Sequence, residues 1–253
     1  MKNLVIIFCL FLLAMNLPAQ MTNLESLIEA GNQSYSSTDY TSAISQYESV
    51  LESGMESSSL YFNLGNAYFK LNNIPAAILY YEKARKLDPT DENIQFNLDL
   101  ANSRIIDKME PLPEFFLRTW WKSARDTFSS DRWAKIGVIG FILALVALTL
   151  FIVSVSIFLR KISFWSGILL LVLMLVSLIF SIEGYRDYSR HNSAIIFTPT
   201  VTVKSSPNDA SVDLFVIHEG TKVLITDLVE GWSEVRLANG HVGWVKTEAF
   251  RLI

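Results

Sequence analysis

Four asparagines, Asn32, Asn63, Asn66 and Asn97, form two sets in which Asn66 repeats Asn32 and Asn97 repeats Asn63 at a distance of 34 residues. Each carboxamide carries both donor and acceptor, so a row of them on one helix face can hydrogen-bond the backbone of an extended peptide. Near the other end, Trp232 and Trp244 offer flat apolar surface, either to stack on a sugar or peptide or to fill a small core. Catalytic constellations do not accompany these groups. His191, His218 and His241 are scattered, without a second ligand at metal spacing or a nucleophile motif beside them. The one cysteine, Cys9, lies in an apolar N-terminal stretch, which excludes disulfide and thiol chemistry from the rest of the chain. Gly-rich phosphate loops are missing too. The residues therefore predict a binding protein and no enzyme, with no metal or other cofactor.

The asparagines ride on a wider echo, in which Gly31, Ala43 and Tyr47 return as Gly65, Ala77 and Tyr81 at the same 34-residue spacing. A unit of that length is a helix–turn–helix that cannot bury its apolar face alone and must stack, leaving a concave surface. In the second unit, Tyr61, Leu64, Gly65 and Tyr68 fall on the first helix and Ala77, Tyr81 and Ala84 on the second, with Pro89 at its end. Gly65 and Ala77 are small where the helices must cross closely, Tyr81 wedges between neighbours, and Pro89 stops the helix before Thr90-Asp91 opens the next. The first unit, Leu24 to Ser57, is a degenerate copy with Ser34 and Met55 in place of Tyr68 and Pro89. After Glu92 one further helix carries Phe96, Leu98 and Ala101, and it is expected to cap the stack. These residues resemble the tetratricopeptide repeat. The resemblance turns the four asparagines toward the concave groove, where they hold a peptide or form a solvated polar face. Ile28, Asn93 and Asn97 occupy positions where the carboxylate-clamp subclass carries basic groups, so recognition of a C-terminal carboxylate is not expected.

The chain has 253 residues, 51% of them hydrophobic, and a net charge of −4. Residues 20–132 hold ten Lys/Arg against sixteen Asp/Glu, and residues 183–253 hold seven against nine. Neither segment has the basic character of a nucleic-acid binder. Residues 1–19 read as a secretory signal, with Lys2, an apolar run from Leu4 to Ala14 and Leu17-Pro18-Ala19 before the cleavage point, or else as an uncleaved anchor. Ile136–Leu159 and Ile162–Ile182 are uncharged over 24 and 21 residues, each longer than a hydrocarbon core of about 30 Å requires at about 1.5 Å per residue. They are expected to span a membrane. Arg160-Lys161 between them makes a basic turn that belongs in the cytoplasm, with both flanks on the far side. Trp133, Tyr185 and Tyr188 would mark the outer interface and Trp165 the inner one. Phe115, Phe116, Leu117, Trp120 and Trp121, mixed with Arg118, Lys122 and Arg125, read as an amphipathic helix on the membrane surface, or as a cover for the end of the repeats.

Beyond residue 195 the pattern changes to five short strands, at 201–203, 214–217, 222–227, 232–237 and 241–245. They are separated by Ser206-Pro207-Asn208, Glu219-Gly220, Glu230-Gly231 and the hairpin signal Asn239-Gly240. Val203-Lys-Ser-Ser-Pro207, Gly220, Trp232 and Gly243-Trp244-Val245 resemble a bacterial SH3 domain, which implies a small barrel. The predicted order is a signal (1–19), tetratricopeptide repeats with a capping helix (20–110), and an amphipathic helix (111–132). Two transmembrane helices (133–159 and 162–182), a linker (183–194) and an SH3-like domain (195–253) complete it. That order is similar to the BatE proteins of the aerotolerance operon. The resemblance implies a multi-pass inner-membrane scaffold with both soluble modules periplasmic. It also implies partners among membrane proteins with von Willebrand factor A domains, in stress or oxygen tolerance. A second reading makes the SH3-like domain a peptidoglycan anchor.

Overall fold

The computed structural model of the chain describes residues 17–110, 112–113, 115–189 and 192–253. The expected signal up to residue 16, with Cys9, and His191 lie outside these residues. Five helices open the fold: α1 (Leu17–Ser36), α2 (Tyr40–Glu52), α3 (Ser58–Lys70), α4 (Ile74–Leu87) and α5 (Glu92–Asn102). Their starts are written locally. Asp39, Ser57, Asn73 and Asp91 each accept a backbone N–H of the following helix with a side-chain oxygen, satisfying donors a helix end leaves orphaned. Thr38 and Asn72, one repeat apart, both turn the chain at positive φ, 66° and 59°.

Packing follows the small residues. A Cβ on Gly31 would lie 2.4 Å from the Tyr47 ring, and one on Gly65 would lie 2.5 Å from Tyr81. Each tyrosine thus occupies the space that the glycine vacates, and both rings are buried. The cluster of Leu24, Ala43, Ile44, Tyr47, Val50, Leu60, Leu64 and Ala67 joins the first unit to the second.

After α5 comes α6 (Phe116–Arg125), then two long apolar helices, α7 (Ser130–Val153) and α8 (Ile157–Ser189). Both are long and apolar enough to cross a membrane. They meet along small residues, Gly137, Gly140, Ala144 and Ala147 of α7 being buried against α8. Such a seam lets helix backbones approach where lipid supplies no hydrophobic drive. The rest of their surface is exposed Leu, Ile, Val and Phe.

Two expected boundaries move. The turn falls at Ser154–Ser156 instead of Arg160-Lys161, because Ser154 adopts an extended backbone and Arg160 Nε donates 2.8 Å back to its carbonyl. The basic pair therefore sits near the start of α8, inside the helix and not in the turn. The expected linker after residue 182 is largely helix, since α8 continues to Ser189. Its extension is held from outside: Trp121 Nε1 donates to Glu183 (2.9 Å) and Arg125 pairs with Asp187 (2.5 Å), fastening α6 across the hairpin end. Tyr188 reaches the repeat domain and donates to Glu56.

The C-terminal region contains all five expected strands plus two more: β1 (Ser193–Ile196), β2 (Thr200–Lys204), β3 (Asp213–His218), β4 (Lys222–Val229), β5 (Trp232–Arg236), β6 (Val242–Lys246) and β7 (Phe250–Leu252). They form one antiparallel sheet in the order β3-β2-β6-β5-β4-β1-β7. The sheet curls, because Val201 and Ile217 from one end share a core with Ala194, Ile196 and Phe250 from the other. At the predicted hairpin Gly240 takes φ +88° and its N–H donates to Leu237 O, a conformation that glycine adopts without a Cβ penalty.

The added strands dock the sheet onto the repeats. Ala194 and Ile196 face the sheet core, so the alternation of a strand sends Ile195 the other way, into a cluster with Ala77, Ile78, Leu79, Tyr81, Leu98, Ala101 and Ile253. The expected capping helix α5 is thereby covered by the sheet. Charge reinforces the joint. Glu82 lies buried between Arg85 (2.6 Å) and Lys222 (2.8 Å), and Asp107 accepts from His218 N (2.6 Å) and Thr221 Oγ1 (2.8 Å) and meets His218 Nδ1 at 3.0 Å.

Burial presses the Glu82 carboxyl upward, but the charges of Lys222 and Arg85 and their hydrogen bonds outweigh it and hold the group below its ordinary range. Burial likewise opposes the bonds from His218 and Thr221 at Asp107, and again the bonds prevail. A carboxyl depressed in the folded state contributes stability that is complete above its unfolded pKa, about 4, and is lost as pH falls through the folded value. Acid is therefore expected to loosen the joint below about pH 4. Amide exchange at residues 194–196, measured against pH, should show protection falling there. The double variant Glu82→Gln, Asp107→Asn should lose that acid step; an identical acid step in wild type and variant would assign it elsewhere.

Candidate binding faces

The four asparagines form a ladder. Asn32 Oδ1 accepts from Tyr47 Oη (2.8 Å) and from Asn63 Nδ2 (3.3 Å). One repeat later Asn66 Oδ1 accepts from Tyr81 Oη (2.8 Å) and Asn97 Nδ2 (2.9 Å). Burial and the neighbouring Tyr35 and Glu29 push the Tyr47 phenol up to about 12, and burial raises Tyr81 as well, so both remain donors near neutral pH. All four asparagines are half-buried.

The ladder consumes half of each carboxamide. Asn32 and Asn66 keep their Nδ2 donors, and Asn63 and Asn97 keep their Oδ1 acceptors, without a partner among the described residues. Along α1, α3 and α5 the unused groups thus run donor, acceptor, donor, acceptor. Asn32, Asn63 and Asn66 line a cavity of about 150 Å³ together with Tyr35, Ser36 and Tyr47, all neutral side chains. Such a surface can hydrogen-bond a main chain and supplies no charge for a carboxylate.

The tryptophans occupy a second face. Ser233, Val235 and Val245 point into the sheet core, which leaves Trp232 and Trp244 half-buried on the opposite side. The reading in which both fill the small core does not hold: the register alternates them outward. Trp232 pairs with Lys246 and Trp244 with Glu234, so the two indoles are diagonal neighbours. Lys246 Nζ lies 5.7 Å from the Trp232 ring centre, and Lys204 stands opposite Trp244 on β2.

His218 belongs to the joint between the modules through Asp107, and His241 lies beside the Phe215 ring. Among the described residues no group of three His, Cys, Asp or Glu is placed to hold a metal ion. Sequence reasoning missed Tyr47 and Tyr81 as the donors that orient the ladder, although both belong to the 34-residue echo that would have found them. It missed Glu82, Lys222 and Asp107 altogether; their pairings lie 140 and more than 110 residues apart in the chain.

Fold and faces together define a helical-repeat protein with an apolar helical hairpin and a C-terminal β-sheet domain. Residues 58–91, which hold α3 and α4, match the family profile of the tetratricopeptide repeat. No curated protein matches the chain.

Proposed function

We propose that this chain is a membrane-anchored, non-enzymatic scaffold whose repeat face holds an extended segment of a partner protein. The observation that carries this reading is the ladder's residue of alternating unused amide donors and acceptors, which complements the alternation of N–H and C=O along an extended peptide. The apolar hairpin anchors the scaffold. Repeats and sheet precede and follow the hairpin yet pack on each other, which supports a topology with both on one side of the membrane. The basic pair near the start of α8 and the signal-like N-terminus favour the periplasmic side of an inner membrane. The partners that suit this reading are membrane proteins with von Willebrand factor A domains, in a BatE-type aerotolerance or stress complex.

The test must separate the binding face from the fold. Asn32 and Asn66 serve buried phenols, so their removal costs stability, whereas Asn63 and Asn97 contribute only donors to the ladder. The pair Asn63→Ala, Asn97→Ala is expected to keep the melting temperature within a few degrees while partner recovery from detergent-solubilised membranes drops about tenfold or more. Undiminished recovery would rule out the repeat face.

A second reading is favoured by the outward indoles: the SH3-like sheet anchors the chain to peptidoglycan. Full-length protein should then sediment with cell-wall sacculi, and Trp232→Ala with Trp244→Ala should abolish this. Protein that stays in solution would leave the sheet as a protein-contact module.

A further inference from the structure

Phe116, Leu117 and Trp120 stand 68%, 52% and 67% exposed on α6, and none of that helix's residues is buried. At about 100° per residue the three fall on one side of the helix, while Arg118, Lys122 and Arg125 fall together on the opposite side. The basic side lines a cavity of about 630 Å³ shared with α4 and the sheet, so the soluble unit lies on that side. The aromatic side therefore looks away from repeats and sheet. The end of the repeats is already covered by the sheet through Ile195 and Leu98, which leaves α6 without that role.

The hairpin fixes the depth of α6. Trp121, on the flank between the two sides, packs on Phe180 at 4.9 Å between ring centres and donates its Nε1 to Glu183 at 2.9 Å. Trp133 of α7 completes the aromatic layer, 5.0 Å from Phe180, and donates its Nε1 to Arg125 O at 2.7 Å. Glu183 is the first charged residue of α8 after Lys161. Phe180 and Glu183, less than one helical turn apart, thus bracket the level at which the apolar span ends, and Trp121 straddles it. Arg125 meets Asp187, about one turn further out. Hence α6 slopes, and its aromatic first turn is the end that stays level with the last apolar turn of α8.

We propose that the aromatic side of α6 inserts into the boundary between headgroups and acyl chains of the leaflet that borders the repeats and sheet. The occupant of this face is lipid, because the face continues the exposed apolar surface of the hairpin through Trp121, Phe180 and Trp133, and tryptophan with apolar neighbours suits that depth. The proposal rests on the reading of α7 and α8 as membrane spans. Two spans in one hairpin leave the soluble unit free to tilt; a third contact beside them pins the repeat face at one height and angle above the bilayer.

Full-length Cys9→Ala protein in vesicles of dioleoyl phosphatidylcholine, a neutral lipid, tests this. A nitroxide is attached at Phe116→Cys or Trp120→Cys, with Leu148→Cys, exposed on α7, and Ser37→Cys, exposed in the repeats, as references. Collisions are compared between oxygen, which concentrates in hydrocarbon, and a water-soluble nickel chelate present on both sides of the bilayer. Labels at Phe116 and Trp120 should favour oxygen severalfold, as at Leu148, and the preference should reverse at Ser37. Phe116→Cys retains Trp120, so it reads the same face if Trp120→Cys weakens insertion. Chelate access at Phe116 and Trp120 with Leu148 still in oxygen would remove the α6 contact alone. Chelate access at Leu148 would remove the hairpin reading and the α6 contact together. Labels shielded from both probes, or broadened by the spins of a second copy, would give the face to protein and overturn the assignment to lipid.

Discussion

Ile195→Asp is expected to free the sheet from the repeats and to destabilise the extramembrane unit by more than about 4 kcal/mol, the range reached when an unpaired charge is forced into a core. Ile195 has no exposed surface. It turns away from the sheet core, and its neighbours Ala77, Ile78, Leu98 and Ala101 carry no group to pair with a carboxylate. Ile195→Ala should cost less, about 2–5 kcal/mol, through the cavity it leaves. Chemical unfolding of the detergent-solubilised chain, with limited proteolysis, distinguishes the outcomes. Aspartate should split a shared transition into two and expose the 197–253 region to cleavage. A single unchanged transition would mean that Ile195 does not hold repeats and sheet together.

Gly65→Val is expected to be the most damaging single change inside the repeats. Even the first added carbon would lie 2.5 Å from the Tyr81 ring, and the ring cannot swing aside. Tyr81 is 1% exposed and its hydroxyl is tied to Asn66. Overpacking of this kind costs about 1–3 kcal/mol, and displacing the ring removes a hydrogen bond worth about 1 kcal/mol more. Gly65→Ala gains up to about 1 kcal/mol of helix propensity and still meets the ring, so it should be destabilising by a smaller margin. Contact between the two sites predicts coupling. In Tyr81→Leu, where the ring is gone, the added methyl of Gly65→Ala should cost little or stabilise. Additive losses in the double variant would deny the wedge.

The repeat units were legible because their signal is local and duplicated: Gly31 with Tyr47 and Gly65 with Tyr81 announce a close crossing before any coordinates exist. The five inner strands were legible for the same reason, since Gly220, Gly231 and Gly240 sit at the turns with positive φ. The hairpin turn was placed six residues late because charge marks where a membrane ends, whereas Ser154 to Ser156 mark where the helix breaks. β1 and β7 escaped notice because they are short, and β1 also alternates toward two different cores, which erases the polar and apolar alternation of a half-buried strand. For the binding faces, the types and period of the asparagines were readable, but their bonds to tyrosines and to each other were not. Those bonds join helices whose relative rotation no spacing fixes. Trp232 and Trp244 were ambiguous because parity decides inward or outward, and parity needs the register with Lys246 and Glu234.

The central claim is that repeats and sheet form one unit on one side of a membrane, held by the hairpin. Single cysteines in a Cys9→Ala background test it most directly, placed at the exposed positions Ser37 in the repeats, Ser156 in the hairpin turn and Glu230 in the sheet. In intact spheroplasts a membrane-impermeant maleimide should label Ser37→Cys and Glu230→Cys alike, and should reach Ser156→Cys only after the membrane is opened. Labelling that places Ser37 and Glu230 on opposite sides, or that reaches all three positions from outside, would contradict the account.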